Sequence, residues 1–328
     1  MKFSLPLLAV CLTQLVSAIP SSISKRAVTG YSTVATTGFA TQNGGTTGGS
    51  GGTVTTVTTL AALTAAVAGD AKKIVIVSGT LTSTESEGVA VKPGSNTSIL
   101  GAQGATLVNI GIRVLNVENV IVRGLKIQKV LASTDAIAIQ ASSNVWIDHN
   151  DLSSDMDHDK DYYDGLLDIT HGCDWITVSY NYLHDHWKAS LVGHSDSNSA
   201  EDTGHLTVTY HHNYWKNLNS RGPSFRFGTG HIYNNYYDTL NDGINTRDGA
   251  QLLIENNVFV NTEDAIYSTD AGYAVATGND LGIGTNEALV GTITSSSLPY
   301  TYTLDAVSAL SALTTSAGAT VWFSSSTA

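Results

Sequence analysis

The sequence predicts an all-β chain wound as a parallel β-helix, with an asparagine ladder and short capping helices. The first observation behind this is a set of five similar segments: VWIDHNDL (145–152), ITVSYNYL (176–183), LTVTYHHNYW (206–215), HIYNNYY (231–237) and LLIENNVF (252–259). Each is an alternating β-prone run followed by Asn and a bulky residue. The second is spacing: Asn150, Asn181, Asn213, Asn235 and Asn257 are separated by 31, 32, 22 and 22 residues. A base period near 22 with occasional insertions is the mark of a solenoid, and short alternating strands are incompatible with stacked helix pairs. The third is the recurring Asn itself. At one corner of every coil it can take a left-handed conformation, and stacked amides can bond one another and the turn backbone. A β-sandwich with Asn in its turns would not be expected to hold so constant a spacing.

From the N-terminus, Lys2, an apolar run from about Leu5 to Val16 and Val16-Ser17-Ala18 read as a signal peptide, residues 1–18. The dibasic Lys25-Arg26 suggests a second cut, making 19–26 a propeptide and 27–328 the mature single domain. No later stretch is long and apolar enough to span a bilayer, so a secreted, extracellular, soluble protein is expected. Asn96-Thr97-Ser98 is then a glycosylation sequon at Asn96. Cys11 leaves with the leader, and Cys173 remains as a buried structural thiol. Residues 43–52 are Gly/Thr/Ser-rich and irregular. Thr58-Thr59 starts a short helix with Leu60, Leu63 and Val67 on one stripe, covering the first coil before a strand over 73–81. Fainter repeats fall at 98–107 and 120–127. Leu304, Val307, Leu310 and Leu313 suggest a helix or packing segment near the far end. Extra residues in the two long coils should form loops on one face.

The formal charge is −12, which disfavours nucleic-acid binding and requires any acidic ligand to be held locally. Between Asp148 and Asp168 stand eight aspartates, offset only by Lys160. Asp155, Asp157, Asp159 and Asp161 mimic the start of an EF-hand, but Lys160 stands where its glycine belongs and Leu166 where its glutamate belongs, so a solvated acidic loop is expected. Asp164 and Asp168, with a turn at Gly165, and Asp135 one coil earlier are candidates for a hard cation such as Ca²⁺. Lys188, Arg221 and Arg226 form a basic set suited to carboxylates. The literal G-x-S-x-G at 48–52 has no strand before it, and His184, His186 and His194 lack a known zinc spacing; both are set aside.

VWIDHNDL, then DGLLDIT, then ITVSYNYLHDHWKASLVGHSD, then RGPSFRFGTGHIYNNYY, in that order, resembles the pectate lyase superfamily, polysaccharide lyase family 1, and its secreted fungal members, over roughly 54–302. The resemblance implies a right-handed parallel β-helix. It implies Ca²⁺ ligands at Asp135, Asp164 and Asp168, a substrate-binding lysine at Lys188, the catalytic arginine at Arg221 and a substrate-binding arginine at Arg226. Trp146, Asp148 and His149 match a mostly structural signature, and Arg247 matches a recurrent position without an assigned role. One ligand position departs: Ser133 stands where the family has Asp. The reaction implied is endo-acting, Ca²⁺-dependent β-elimination across C4 and C5 of α-1,4-linked galacturonate, by a monomer. Related pectin lyases, acting on the methyl ester, generally lack the carboxylates, so pectate is the expected substrate. Pectin lyase activity, hydrolysis, or noncatalytic pectin binding are the alternatives. Arginine is a poor base near neutral pH, since its intrinsic pKa is above ~12. Arg221 would therefore act either as a base under alkaline conditions or by organising hydroxide.

Overall fold

The computed structural model describes residues 26–28 and 33–324. The expected signal peptide lies outside them, as does most of the expected propeptide. The chain winds through an eight-, a nine- and an eleven-stranded sheet, visiting them in that order on each coil, and every strand pairing within them is parallel. Among the described residues no helix is long and apolar enough to cross a membrane.

Stacking like on like builds the core. On the eleven-stranded sheet Ile99, Val122, Ile147, Val178, Tyr210, Ile232 and Ile254 fall in one register column, each fully buried. Strands joined on both sides and covered on both faces read as near-continuous apolar runs. The Thr59 side chain caps the helix Leu60–Val67, and Leu63 and Val67 close the first coil as expected.

The ladder runs through all five predicted asparagines and extends to Asn279, another 22 residues on. From Asn181 onward each Oδ1 accepts from the backbone N–H and the Nδ2 of the Asn one coil before, as Asn213 does from Asn181 at 2.9 and 3.0 Å. The expected left-handed conformation falls one residue earlier. His149, Tyr180, His212, Asn234 and Asn256 have φ between 47° and 55°, while the ladder Asn that follows each does not. The tight corner turns before the Asn, leaving its amide to point inward.

The C-terminal segment does not sit over the last coil. Leu310 and Leu313, within Val307–Ser316, pack along the flank against Tyr214 and Val258 of the eight-stranded sheet. The chain then returns to the first coils, where Val321–Phe323 pairs with Arg26–Val28 and Phe323 packs on Ile76, Leu100, Ile121 and Trp146. Phe39, from the N-terminal segment, joins Leu253, Ile293 and Leu298 over the other end of the eleven-stranded sheet. Among the described residues these satellite clusters include none of the nine-stranded sheet and leave its outer face open.

The Trp146–His149 segment lies on the covered eleven-stranded sheet. Asp148 is 1% exposed, accepts from Ser179 Oγ at 2.6 Å, meets His149 Nδ1 at 2.6 Å, and lies 2.5 Å from Arg123 Nε. Burial alone would push this carboxyl up. The charges of His149 and Arg123, with hydrogen bonds from His149 and Ser179, outweigh it and bring it from 3.8 down to about 2. A depressed carboxylate stabilises the fold above its ordinary pKa and loses that contribution as pH falls toward 2. The drop corresponds to roughly 2 kcal/mol. Asp148→Asn should lower the urea-unfolding free energy by about that much at pH 6, and the gap from wild type should shrink to roughly a third of this by pH 2.5. An equal gap at both pH values would contradict this account.

Candidate functional site

Four successive coils deliver one charged group or more to the junction between the eight- and nine-stranded sheets. Asp135 precedes the strand Ile137–Gln140, Asp164 precedes Leu167–Thr170, Lys188 ends Tyr182–Lys188, and Arg221 lies between Tyr214–Ser220 and Ser224–Arg226. Asp168 projects from the open face of the nine-stranded sheet, with Leu167 and Ile169 buried beneath. The expected turn at Gly165 is where two carboxylates meet. Its N–H donates to Asp135 Oδ1 at 2.8 Å, and a Cβ there would lie 2.5 Å from Asp168 Oδ1 and 3.0 Å from Asp135 Oδ1. Any side chain there would displace one carboxylate or the other. Arg221 reaches its position through a left-handed backbone, φ 66°.

The three carboxylates are short of positive charge. Burial, then the negative charges of Asp168 and Asp164, push Asp135 well above the carboxylate range. Burial also raises Asp168, against the opposing pull of Arg221 and the Leu191 N–H. The nearby cations are only loosely engaged: Arg221 Nη1 is 3.9 Å from Asp168 Oδ2, and Lys188 Nζ is 3.4 Å from Asp164 Oδ1. Among the described residues no three His, Cys, Asp or Glu side chains are already arranged around a single metal position. The donors nonetheless suit a hard cation. They are carboxylate oxygens on neighbouring coils, and Asp135 and Asp168 each give only one oxygen to a backbone N–H.

The long coils supply the rim, as the spacing predicts. The first insertion, 154–166, is fastened by His186, whose Nδ1 meets Ser154 Oγ at 2.6 Å and whose Nε2 meets the Asp164 carbonyl at 2.5 Å. Burial holds this imidazole down at about 4, so it stays neutral and donates to the carbonyl. The acidic loop is less bland than the sequence suggests: Asp161 reaches Lys188 Nζ at 3.1 Å, and Asp155 pairs with Lys129 at 2.9 Å. His184 is spent on Asp151 and Asp185, and His194 stacks on His171. Cys173 is buried, donates to the Thr170 carbonyl, and burial pushes its thiol up to about 12.

Arg226 sits apart from the other expected residues, with a side chain only 10% exposed. Its Nε meets Asp196 at 2.6 Å and Asp248 at 3.3 Å, and its Nη1 donates to the Gly193 carbonyl at 2.9 Å. Arg247, its register partner, reaches Asp196 and Asp270 at 3.1 and 3.0 Å. Arg247 thereby acquires a role, and Asp196, carried by the second insertion, is a residue the sequence reading missed. Asn96 is half-buried, with Nδ2 donating to the Asp70 carbonyl and Oδ1 accepting from Asn119.

Comparison with known proteins gives a consistent result. A family model described as pectate lyase matches residues 10–321. Probable pectate lyase A of Aspergillus niger is 59% identical over 291 residues, 88% of each chain. Pectate lyase A of Emericella nidulans is 60% identical over 288 residues, 87% of each. Among solved structures, a pectate lyase from Bacillus sp. N165 in complex with trigalacturonate is 33% identical with a TM-score of 0.76, covering 87% of this chain and 98% of its own. Pectate lyase II from Xanthomonas campestris is 28% identical with a TM-score of 0.77, covering 86% and 98%.

Proposed function

Because the chain belongs to the pectate lyase family, we propose that it cleaves α-1,4-linked polygalacturonate by β-elimination, acting within the polymer and using Ca²⁺. The observation that carries this reading is the junction itself. Three crowded carboxylates with too little positive charge lie beside Lys188 and Arg221, on an open sheet face that can receive a polymer.

Asp135, Asp164 and Asp168 would hold the cation. A cation bound there would neutralise the uronate carboxylate and the negative charge that develops toward C6 as the C5 proton leaves and the C4–O bond breaks. Lys188, its side chain 15% exposed, exchanges Asp161 and Asp164 for a substrate carboxylate. Arg221, beside Asp168, removes the C5 proton or orients the hydroxide that does. Arg226 is left with Nη2 for a more distant substrate oxygen, its other contacts bracing the strand next to Arg221. Every group of the site comes from one chain, which supports action as a monomer, and the leader-like first 18 residues support secretion. A glycan on Asn96 would replace one amide hydrogen and leave the other for Asp70.

The test is to mix the protein with polygalacturonate and follow absorbance of the 4,5-unsaturated product, with and without a chelator. Absorbance abolished by the chelator and restored by Ca²⁺ is expected. New reducing ends without absorbance would establish hydrolysis instead, and silence in both would leave a binding protein. Activity that increases with methyl-esterification would establish a pectin lyase.

A further inference from the structure

We propose that Arg113 binds a substrate carboxylate, forming a uronate subsite on the Asp135 side of the cation site, opposite Lys188 and Arg221. This rests on the pectate reading above. Arg113, Ala138 and Asp168 occupy one outward column of the nine-stranded sheet on successive coils. At about 4.8 Å per strand the guanidinium stem starts roughly 10 Å from that of Asp168. Beside Arg113 and over Ala138 opens a cavity of about 150 Å³ whose wall also includes Ser133, Asp135, Gln140 and Asp164.

The state of this arginine is unusual for the molecule. Arg123, Arg221, Arg226 and Arg247 each face a carboxylate within 4 Å. Among the described residues Arg113 faces none; its one side-chain hydrogen bond runs from Nε to Gln140 Oε1 at 2.8 Å. That bond fixes the plane of the guanidinium and leaves the terminal fork free. A planar fork with two parallel donors is the geometry that binds a carboxylate bidentately. In a chain of net charge −12, a half-buried arginine left without a counter-charge beside the cation site is best explained by a counter-charge that arrives with the ligand. Ser133 contributes to the same wall. A hydroxyl there leaves Arg113 unneutralised, where the aspartate of the resembled pattern would add a competing carboxylate. A uronate fits such a mixed wall, offering its carboxylate to Arg113 and its hydroxyls to the acidic side.

The experiment compares wild type, Arg113→Gln and Arg113→Lys. A charge-assisted bidentate contact is expected to appear as a roughly tenfold rise in KM for polygalacturonate in the Gln variant, with kcat within about twofold. The Lys variant, keeping the charge but not the fork, should fall between. Calorimetric binding of a fully methyl-esterified hexagalacturonate, which has no carboxylate to offer, should be equally weak in the three. Calorimetric binding of hexagalacturonate by the same proteins reads the contact without turnover, and the Gln variant should bind about tenfold more weakly. Equal KM and equal hexagalacturonate affinity in all three proteins overturn the subsite while leaving the lyase reading intact. Wild-type protein that binds hexagalacturonate but forms no unsaturated product overturns the lyase reading alone. Should Arg113→Gln not fold, the Lys variant carries the test by itself, and a KM and affinity equal to wild type overturn the subsite.

Discussion

Replacing Arg221 with lysine is expected to remove nearly all turnover, roughly 10³-fold in kcat, while leaving binding of a galacturonate oligomer within a few fold of wild type. The expectation follows from how Arg221 is held. Its backbone is left-handed, and its carbonyl accepts from the Ser190 N–H, so the start of the side chain is fixed by the coil before it. The guanidinium then extends over the carboxylates to 3.9 Å from Asp168 Oδ2, with the side chain 29% exposed to the open face. Lysine keeps the charge, and with it most of the long-range attraction for a polyanion. It cannot present a planar pair of nitrogens at that reach, so a proton or hydroxide positioned by the fork is lost. Groups that move a proton in the transition state contribute on the order of 10²–10⁴-fold. Initial rates across substrate concentration, with calorimetric binding of hexagalacturonate in parallel, separate the two effects. A variant retaining a tenth or more of wild-type kcat would remove Arg221 from the proton-transfer step. A variant that loses binding and turnover together would make it a substrate clamp.

The sequence exposed whatever repeats and concealed whatever folds back. The period of 22 read from Asn213, Asn235 and Asn257 was legible because each coil must place the same amide at the same corner, and Asn279 continues it. The left-handed residue was misplaced by one because His149, Tyr180 and His212 have side chains that do not advertise that conformation, whereas Asn does. That Asp135, Asp164, Asp168, Lys188 and Arg221 share one place was legible only through the family pattern, and the register explains the convergence: consecutive coils stack at one junction. The contacts of Arg226 were not legible from sequence. Its partner Asp196 comes from an insertion 30 residues away that no periodicity places. Arg113 was missed for a related reason. It stands in a faint early coil, and only the column shared with Ala138 and Asp168 brings it to the site. The return of Val321–Phe323 to the first coils was equally hidden, since a three-residue strand carries no period.

Replacing Asn213 with alanine is expected to damage the fold as severely as truncating a core aromatic, costing about 3–5 kcal/mol. Asn213 is fully buried at the centre of the ladder. Its Oδ1 accepts two bonds, from the Asn181 N–H and Nδ2, and its Nδ2 donates to the Val178 carbonyl and to Asn235 Oδ1. Alanine removes all four bonds and leaves partners on two neighbouring coils without water to replace them. Each unsatisfied buried group costs roughly 1–3 kcal/mol, and some of that is recovered by relaxation, which gives the figure above. Asn257→Ala should cost less, because its partner Asn279 lies near the open end of the solenoid, where the neighbouring groups are only partly buried. Urea unfolding of the two variants against wild type measures both values. Comparable losses at the two positions would mean that the amides act as independent turn residues. A clearly larger loss at Asn213 would mean that the ladder is a continuous element whose interior positions depend on both neighbours. The same variants separate fold from chemistry. Asn213 lies on the corner away from Arg221 and Asp168, so at a temperature where it is still folded, Asn213→Ala should retain wild-type KM for polygalacturonate.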